Sequence, residues 1–403
     1  MQTEGRARVA ATMGLGAGLG AKVIIPAHSQ IGLGAHCSAW EGNLVRDGRD
    51  YSLTGLDARR AVQRGLAQAQ WYTCPVDRKC LKDLMRRRDW PAVRDSLIWF
   101  ATMATSAVLA LQLWGHWTAV PCFVVYGVLY GSSSDSRWHE CVHGTAFRTP
   151  WLNKAVYLVA CVMMVREPTI WRWSHARHHT DTLIVGRDPE ITVQRPPDTI
   201  ALALDMFALK HVATTMQKLV IHAGGRLTAE ECTFVPEPER WRVAWAARAG
   251  LGLVAALIGW CLTVRSVLPA MFIGLPSIYG AFLGPFFALT QHTALAEDVL
   301  DHRLNSRTVY MNPVFRFLYW NMNYHVEHHM FPMVPYHALP RLHEAAKAYC
   351  PPPYPSCWAA YREIIPAMFR QRIDPRWFVK RVPPPAEFDA GPRQREIGEE
   401  AAR

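Results

Sequence analysis

Two long stretches without a formal charge constrain this chain more than any other feature. Residues 96–134 read SLIWFATMATSAVLALQLWGHWTAVPCFVVYGVLYGSSS, and residues 266–296 likewise lack Asp, Glu, Lys and Arg. A bilayer core about 30 Å thick takes about 20 helical residues. The first stretch is therefore too long for one crossing and suits two, joined by a tight turn at residues 114–117. Residues 249–264 are also apolar, with Arg248 before them and Arg265 after. They pair with the second uncharged stretch as another hairpin, in which Arg248 is placed to snorkel. Pro269, Gly274, Pro276, Gly280, Gly284 and Pro285 fall inside that last segment, and membrane helices tolerate such residues better than soluble ones.

Composition bears on this only once the segregation is seen. The chain has 403 residues, of which 50% are hydrophobic and 19% charged, with a net charge of +11. The mean hydropathy of -0.02 averages apolar spans against polar loops. Seven Lys and Arg between Arg78 and Arg94 precede the first span, whereas the hairpin turns hold only Arg265. That asymmetry puts both termini and the loop 135–242 on the cytoplasmic side. Residues 155–165 are apolar but too short to span, and read as a re-entrant or buried helix. Residues 201–221 mix apolar side chains with Asp205, Lys210, His211 and Lys218, the pattern of an amphipathic helix lying on the membrane. The ten cysteines form no CxxC pair, and no helix-turn-helix, zinc finger or RNA-binding motif accounts for the positive charge; no nucleic-acid partner is expected. Residues 1–50 read as a disordered N-terminal extension, and the first 30, which resemble a signal peptide only weakly, as part of it or as an overlong start. A surface-bound tail ends the chain.

Eight of 17 histidines fall into three clusters, His139-Glu140-Cys141-Val142-His143, His175-Ala176-Arg177-His178-His179 and His325-Val326-Glu327-His328-His329. On a helix, positions i and i+3 or i+4 share a face, so each cluster is expected to aim its imidazoles at one point. All three lie on the side assigned to the cytoplasm. Eight imidazoles exceed what one first-row ion uses, which points to two ions, with His292 at the end of the fourth span as a ninth ligand. Ligating histidines commonly donate their other N–H to a carboxylate. Glu140, Asp181 and Glu327 are the expected acceptors, with Asp188 and Glu190 in the same neighbourhood. Trp138, Trp171 and Tyr324 flank the boxes, as lining of an apolar substrate channel or as interface anchors. Thiolate-free imidazole coordination by two metals suits iron that activates O₂.

HECVHG, WSHARHHTDT and NYHVEHHMFPMVPYHALPRLHE resemble the three histidine boxes of the membrane fatty acid desaturase family over residues 90–344. The flanks YSLTG at 51–55 and REPTIW at 166–171 are similar to its bacterial MocD-type hydrocarbon oxygenase branch. The resemblance implies an all-α membrane protein. It has about four transmembrane helices in two hairpins (about 95–114, 118–134, 243–264 and 266–290) and a helical cytoplasmic cap holding a di-metal site. It divides the chain into the extension 1–50, a cytoplasmic segment 51–94, the membrane domain 95–345 and a cytoplasmic tail 346–403. It implies a non-haem di-iron centre ligated by His139, His143, His175, His178, His179, His292, His325, His328 and His329. It further implies O₂ as co-substrate, an acyl substrate from the bilayer, and an external ferredoxin or cytochrome b5-type donor. No HPGG haem motif is present, the third box opens on His325 rather than Gln, and Ala288 stands where some members carry Asn. The rival readings are a hydroxylase on the same scaffold and, more distantly, a metal transporter.

Overall fold

The computed structural model describes residues 48–385. The expectations for residues 1–47 and for 386–403 lie outside them. Among the described residues there is no β-strand, only isolated bridges such as Thr308 with Tyr324. A short helix α1 (Leu56–Gln63) and a second, α2 (Arg78–Leu84), lead into α3 (Asp89–Gln112), the first long apolar helix. A turn at Gly115 returns the chain into α4 (Ala119–Gly127), which runs through a π-helical turn at Val128–Ser132 directly into α5 (Ser133–Val142). The helix thus does not stop near 134. Ser134 bonds back to Tyr130 O, and Ser133 and Ser136 bond to Leu318 O at 3.0 and 2.9 Å. These bonds let an uncharged helix continue into polar sequence and carry the first histidine box with it. α3 also starts before 95: Asp95 is buried, pairs with Arg94 and accepts from the Tyr336 hydroxyl at 2.8 Å.

α6 (Pro150–Met163) packs along α5, and α7 (Pro168–Asp181) follows. Pro168 opens α7, and the Glu167 carboxylate accepts from the Thr169 and Ile170 amides, a capping arrangement that fixes where the second box begins. The amphipathic segment is two helices rather than one, α8 (Thr199–Asp205) and α9 (Leu209–Ala223), because Ala208 adopts a left-handed φ of 51°. α10 (Arg240–Thr263) packs on α9. Arg248 Nε donates to Ala223 O at 2.9 Å and closes the carboxyl end of α9. The helical stretch Glu237–Thr263 is long and apolar enough to cross a membrane by length and composition, with mean hydropathy 1.6 and only 6% of its most apolar window buried in the protein. A core helix of that length would be mostly covered.

Residues 266–290 do not form one helix. They break into α11 (Leu268–Phe272), α12 (Pro276–Tyr279) and α13 (Leu283–His292). Ile273 is extended and Gly274 takes a left-handed φ of 87°, and the broken segment meets α4 backbone to backbone: a Cβ on Gly280 would lie 1.9 Å from Gly127 O, and one on Gly131 2.4 Å from Pro276 O. Gly127 and Gly131 are spaced as GxxxG, which lets two backbones meet, and Ser132 locks the contact by donating to Gly280 O at 2.6 Å. Then come α14 (His302–Asn305), α15 (Pro313–Leu318), α16 (His325–Met330), α17 (Leu339–Ala346) and α18 (Cys357–Ile373). Buried Arg137 on α5 lies within 5.2 Å of the Trp99, Phe317 and Trp320 rings and donates to the Phe317 and Leu318 carbonyls at the end of α15. It thereby ties the approach to the third box to the helix bearing the first.

Candidate metal centre

The first box lies on α5, the second on α7 and the third on α16, while His292 ends α13. Their nine imidazoles converge as two groups, His139, His143, His175, His179 and His328 in one, and His178, His292, His325 and His329 in the other. Within each group the ligating atoms lie within 4.8 Å of one another. The expectation that each cluster aims at one point fails for both HxxHH boxes. His175 and His179, four apart, join the first group, and His178 joins the second. The third box is the mirror case: His325 and His329 join the second group, and His328 the first. On a helix the i+3 position sits on the other side of i from i+4, so one HxxHH serves two points, and the two boxes exchange their middle histidines.

The outer nitrogens show which electron pairs face inward. His178 Nδ1 lies 2.9 and 3.0 Å from the two Asp188 carboxylate oxygens, and His175 Nδ1 lies 3.0 Å from Glu190. His292 Nδ1 donates to Asn305 O at 2.8 Å, and His329 Nδ1 lies 3.2 Å from the Thr182 hydroxyl, whose own proton goes to His178 O. A neutral imidazole carries one N–H. His178, His292 and His329 spend theirs outward, so three bare Nε2 lone pairs meet inside the four-histidine group. In the five-histidine group the Nε2 atoms stand 2.9–3.3 Å apart in a chain from His143 through His175, His179 and His328 to His139. Burial, then the neighbouring imidazoles, hold His139, His175, His179, His325, His328 and His329 well below the ordinary imidazole range. Burial likewise pulls His143 down to about 3. For His178 burial acts the same way, but the Asp188 carboxylate outweighs it and lifts the ring. Converging uncharged lone pairs at these separations fit a metal cation in each group.

Of the carboxylates brought forward from the sequence, Asp188 and Glu190 meet box histidines, whereas Glu140, Asp181 and Glu327 do not. Glu140 accepts from the Thr145 hydroxyl at 2.6 Å and the Tyr336 amide at 3.1 Å, and burial pushes it up to about 8. Asp181 pairs with Arg177 and Arg187. Glu327 accepts from Thr308 and from His343 Nδ1, each at 2.5 Å. Glu140 and Glu327 each adjoin a box histidine, and adjacent helical residues do not share a face. Asp188 and Glu190 reach back instead, because Leu183 (φ 54°) and Gly186 (φ 74°) turn the chain after α7. Trp138 and Trp171 hold Arg166 between them at 4.4 and 4.3 Å, and Arg166 pairs with Asp135. The Trp138 ring also meets His175 at 5.2 Å. Tyr324 faces His343 and Arg316. Sequence reading passed over buried His302, whose ring lies 5.0 Å from His329 and stacks on Trp71 at 4.2 Å and 4°. Trp71 in turn donates to Thr180 O. No spacing marks either residue; only the fold brings them there.

The family model for fatty acid desaturases matches residues 115–361. Among curated proteins, the Delta(5) fatty acid desaturase fat-4 of Caenorhabditis elegans is 26% identical over 267 residues, which are 58% of this chain and 58% of that protein. The chain therefore spans less than two thirds of that relative's length. The region matched by the family model contains all nine converging histidines, and the chain belongs to the fatty acid desaturase family.

Proposed function

We propose that the chain is a membrane-bound oxidoreductase that uses two iron ions, O₂ and externally supplied electrons to desaturate a fatty acyl chain or related lipid. The observation that carries this reading is the meeting of nine imidazoles, without a thiolate, in two adjoining groups. Imidazole sites of this kind suit iron among the first-row metals. Iron bound there would supply O₂ activation and removal of hydrogen from an unactivated C–H bond. The protein's own contribution is positional. Asp188, Glu190 and the Asn305 carbonyl keep protons on the outer nitrogens, and so hold the inner lone pairs in place. The burial of the boxes keeps bulk water from the reacting carbon. The desaturase name of the worm relative supports an acyl lipid as the substrate class.

In this reading the chain crosses the bilayer about four times in two hairpins, with both termini and the metal centre on the cytoplasmic side, and residues 95–345 form the catalytic domain. Exposed tryptophans support the crossings. Trp90 stands at the start of α3 and Trp114 just past its end; Trp241 and Trp245 stand at the start of α10 and Trp260 near its end. Tryptophan favours both membrane interfaces. The basic cytoplasmic face suits an acidic carrier of the ferredoxin or cytochrome b5 kind. The test is expression in a host of defined lipid content, with mass spectrometry of lipids and iron analysis of the purified protein. A product lighter by two hydrogens, from protein holding two iron ions, supports desaturation. A product heavier by one oxygen with no alkene moves the chain to the hydroxylase reading, that of the MocD-type branch. Active protein without tightly bound iron overturns the metal assignment.

A further inference from the structure

The carboxyl-terminal helix α18 has an outward face that does not suit water. Trp358 is 73% exposed, Ile365 48%, Phe369 59% and Ile373 87%. Their spacings of seven, four and four residues put them on one side of the helix. The opposite side is the packed one: Ala360, Ile364, Ala367 and Gln371 are buried. The neighbouring helix α17 does the reverse, turning Arg341, Glu344 and Lys347 outward over its buried Leu339, Leu342 and Ala346. The apolar face of α18 is thus a local property and not a general feature of the cap. Exposed Arg362, Arg370 and Arg372 interleave with or border the stripe.

Two contacts place α18 in the fold. Tyr361 donates to Phe286 O at 2.5 Å and stacks on the Phe286 ring at 4.8 Å. Phe286 is six residues before His292 in α13, about 9 Å along a helix axis, so α18 lies beside the segment read above as the fourth crossing. At its other end Arg372 reaches the Thr199 hydroxyl at 3.5 Å, where α8 begins with Ile200 and Leu204 exposed. α18 therefore lies between that segment and the exposed apolar start of α8. Bulky apolar side chains exposed on one helix face, with arginines among and beside them, suit the interface of an anionic bilayer.

We propose that α18 lies in the plane of the membrane, with Trp358, Ile365, Phe369 and Ile373 in the boundary between headgroups and acyl chains and its arginines on anionic headgroups. The segment expected to be a cytoplasmic tail is then a membrane-bound element. This rests on the membrane reading given above, and the experiment separates the two. The full chain carries the photo-crosslinking residue p-benzoylphenylalanine singly at position 365, 369, 253 (on α10) or 344 (on α17), in vesicles of phosphatidylcholine and phosphatidylglycerol. The expected result is lipid adducts at 365, 369 and 253 and none at 344, with phosphatidylglycerol enriched at 365 and 369 over its share of the vesicle. Adducts at 253 but none at 365 or 369 would overturn the placement of α18 and leave the membrane reading standing. Crosslinks from 369 to another polypeptide would assign the face to a protein partner and also overturn it. Absence of lipid adducts at 253 would overturn both.

Discussion

The two histidine groups are built from the same three boxes, yet they are held differently. In the four-histidine group, His178, His292 and His329 each bond outward through Nδ1, to Asp188, Asn305 and Thr182. In the five-histidine group only His175 has such a partner among the described residues, Glu190, while His179 and His328 have buried outer nitrogens with none. The four-histidine group is held mostly by hydrogen bonds, with His325 alone in it leaving a buried Nδ1 without a partner among the described residues. The other is fixed by packing, through Trp138 against His175 and the mutual contact of its rings. The lesson is that a shared ligand motif does not make two equivalent sites; the second layer of residues differentiates them.

The exchange of middle histidines offers the sharpest way to break this picture. His178→Ala and His328→Ala are each expected to abolish turnover, but to lose different ions, the first from the four-histidine group and the second from the five-histidine group. Iron counting with Mössbauer spectroscopy of the two variants should show one ion left in each, with unlike spectra. The same residual spectrum from both would mean that the groups do not divide as described.

Asp188→Asn comes next. Loss of an outer partner typically costs about 10–100-fold in metal affinity, and Asp188 holds His178 with both oxygens and also accepts from the Leu183 amide at 2.8 Å. Glu190→Gln touches one ring of five, so its effect should be smaller. Competition with a graded chelator measures both, and an equal or reversed order would remove the distinction between a bonded and a packed group. Chelation of the unaltered protein should empty the five-histidine group first, as followed by the order in which the two spectral components disappear. The smallest effect is expected from His302→Ala. Aromatic pairs contribute about 0.5–1.5 kcal/mol, so removing the ring between Trp71 and His329 should weaken iron retention several-fold in the four-histidine group alone, with His302→Phe restoring most of it. Loss confined to the other group would contradict the placement.

Much of this was legible in the residues, and the rest has identifiable reasons. The nine histidines that converge are those singled out from the boxes and from His292, because repeated spacing on an apolar scaffold is a strong signal. Their partition was hidden: whether i+3 and i+4 serve one ion or two depends on where the other helices stand, and α16 is only six residues long. Of the five acids brought forward as outer partners, Asp188 and Glu190 meet box rings; Glu140, Asp181 and Glu327 do not, because nearness in sequence is not direction. Asp188 and Glu190 reach their rings only after a turn that passes through two left-handed residues. The final apolar segment looked like one crossing because its hydropathy is continuous. Its break falls at Gly274, whose φ of 87° does not continue a helix, and the segment is seated by a glycine contact with a helix about 150 residues earlier, as the Ser132 bond to Gly280 measures by a separation of 148.

That glycine contact also acts as a ruler. His139 follows Gly127 by twelve residues, His143 follows Gly131 by twelve, and His292 follows Gly280 by twelve. Two arms of equal count leave a point where the backbones touch and end on imidazoles belonging to the two different groups. Each residue of a helix adds about 1.5 Å and turns the next side chain by about 100°. A single insertion or deletion between glycine and histidine on either arm would therefore swing a ligand away from its ion without changing any residue of a box. Such length variants would leave every histidine motif intact and still yield protein short of iron.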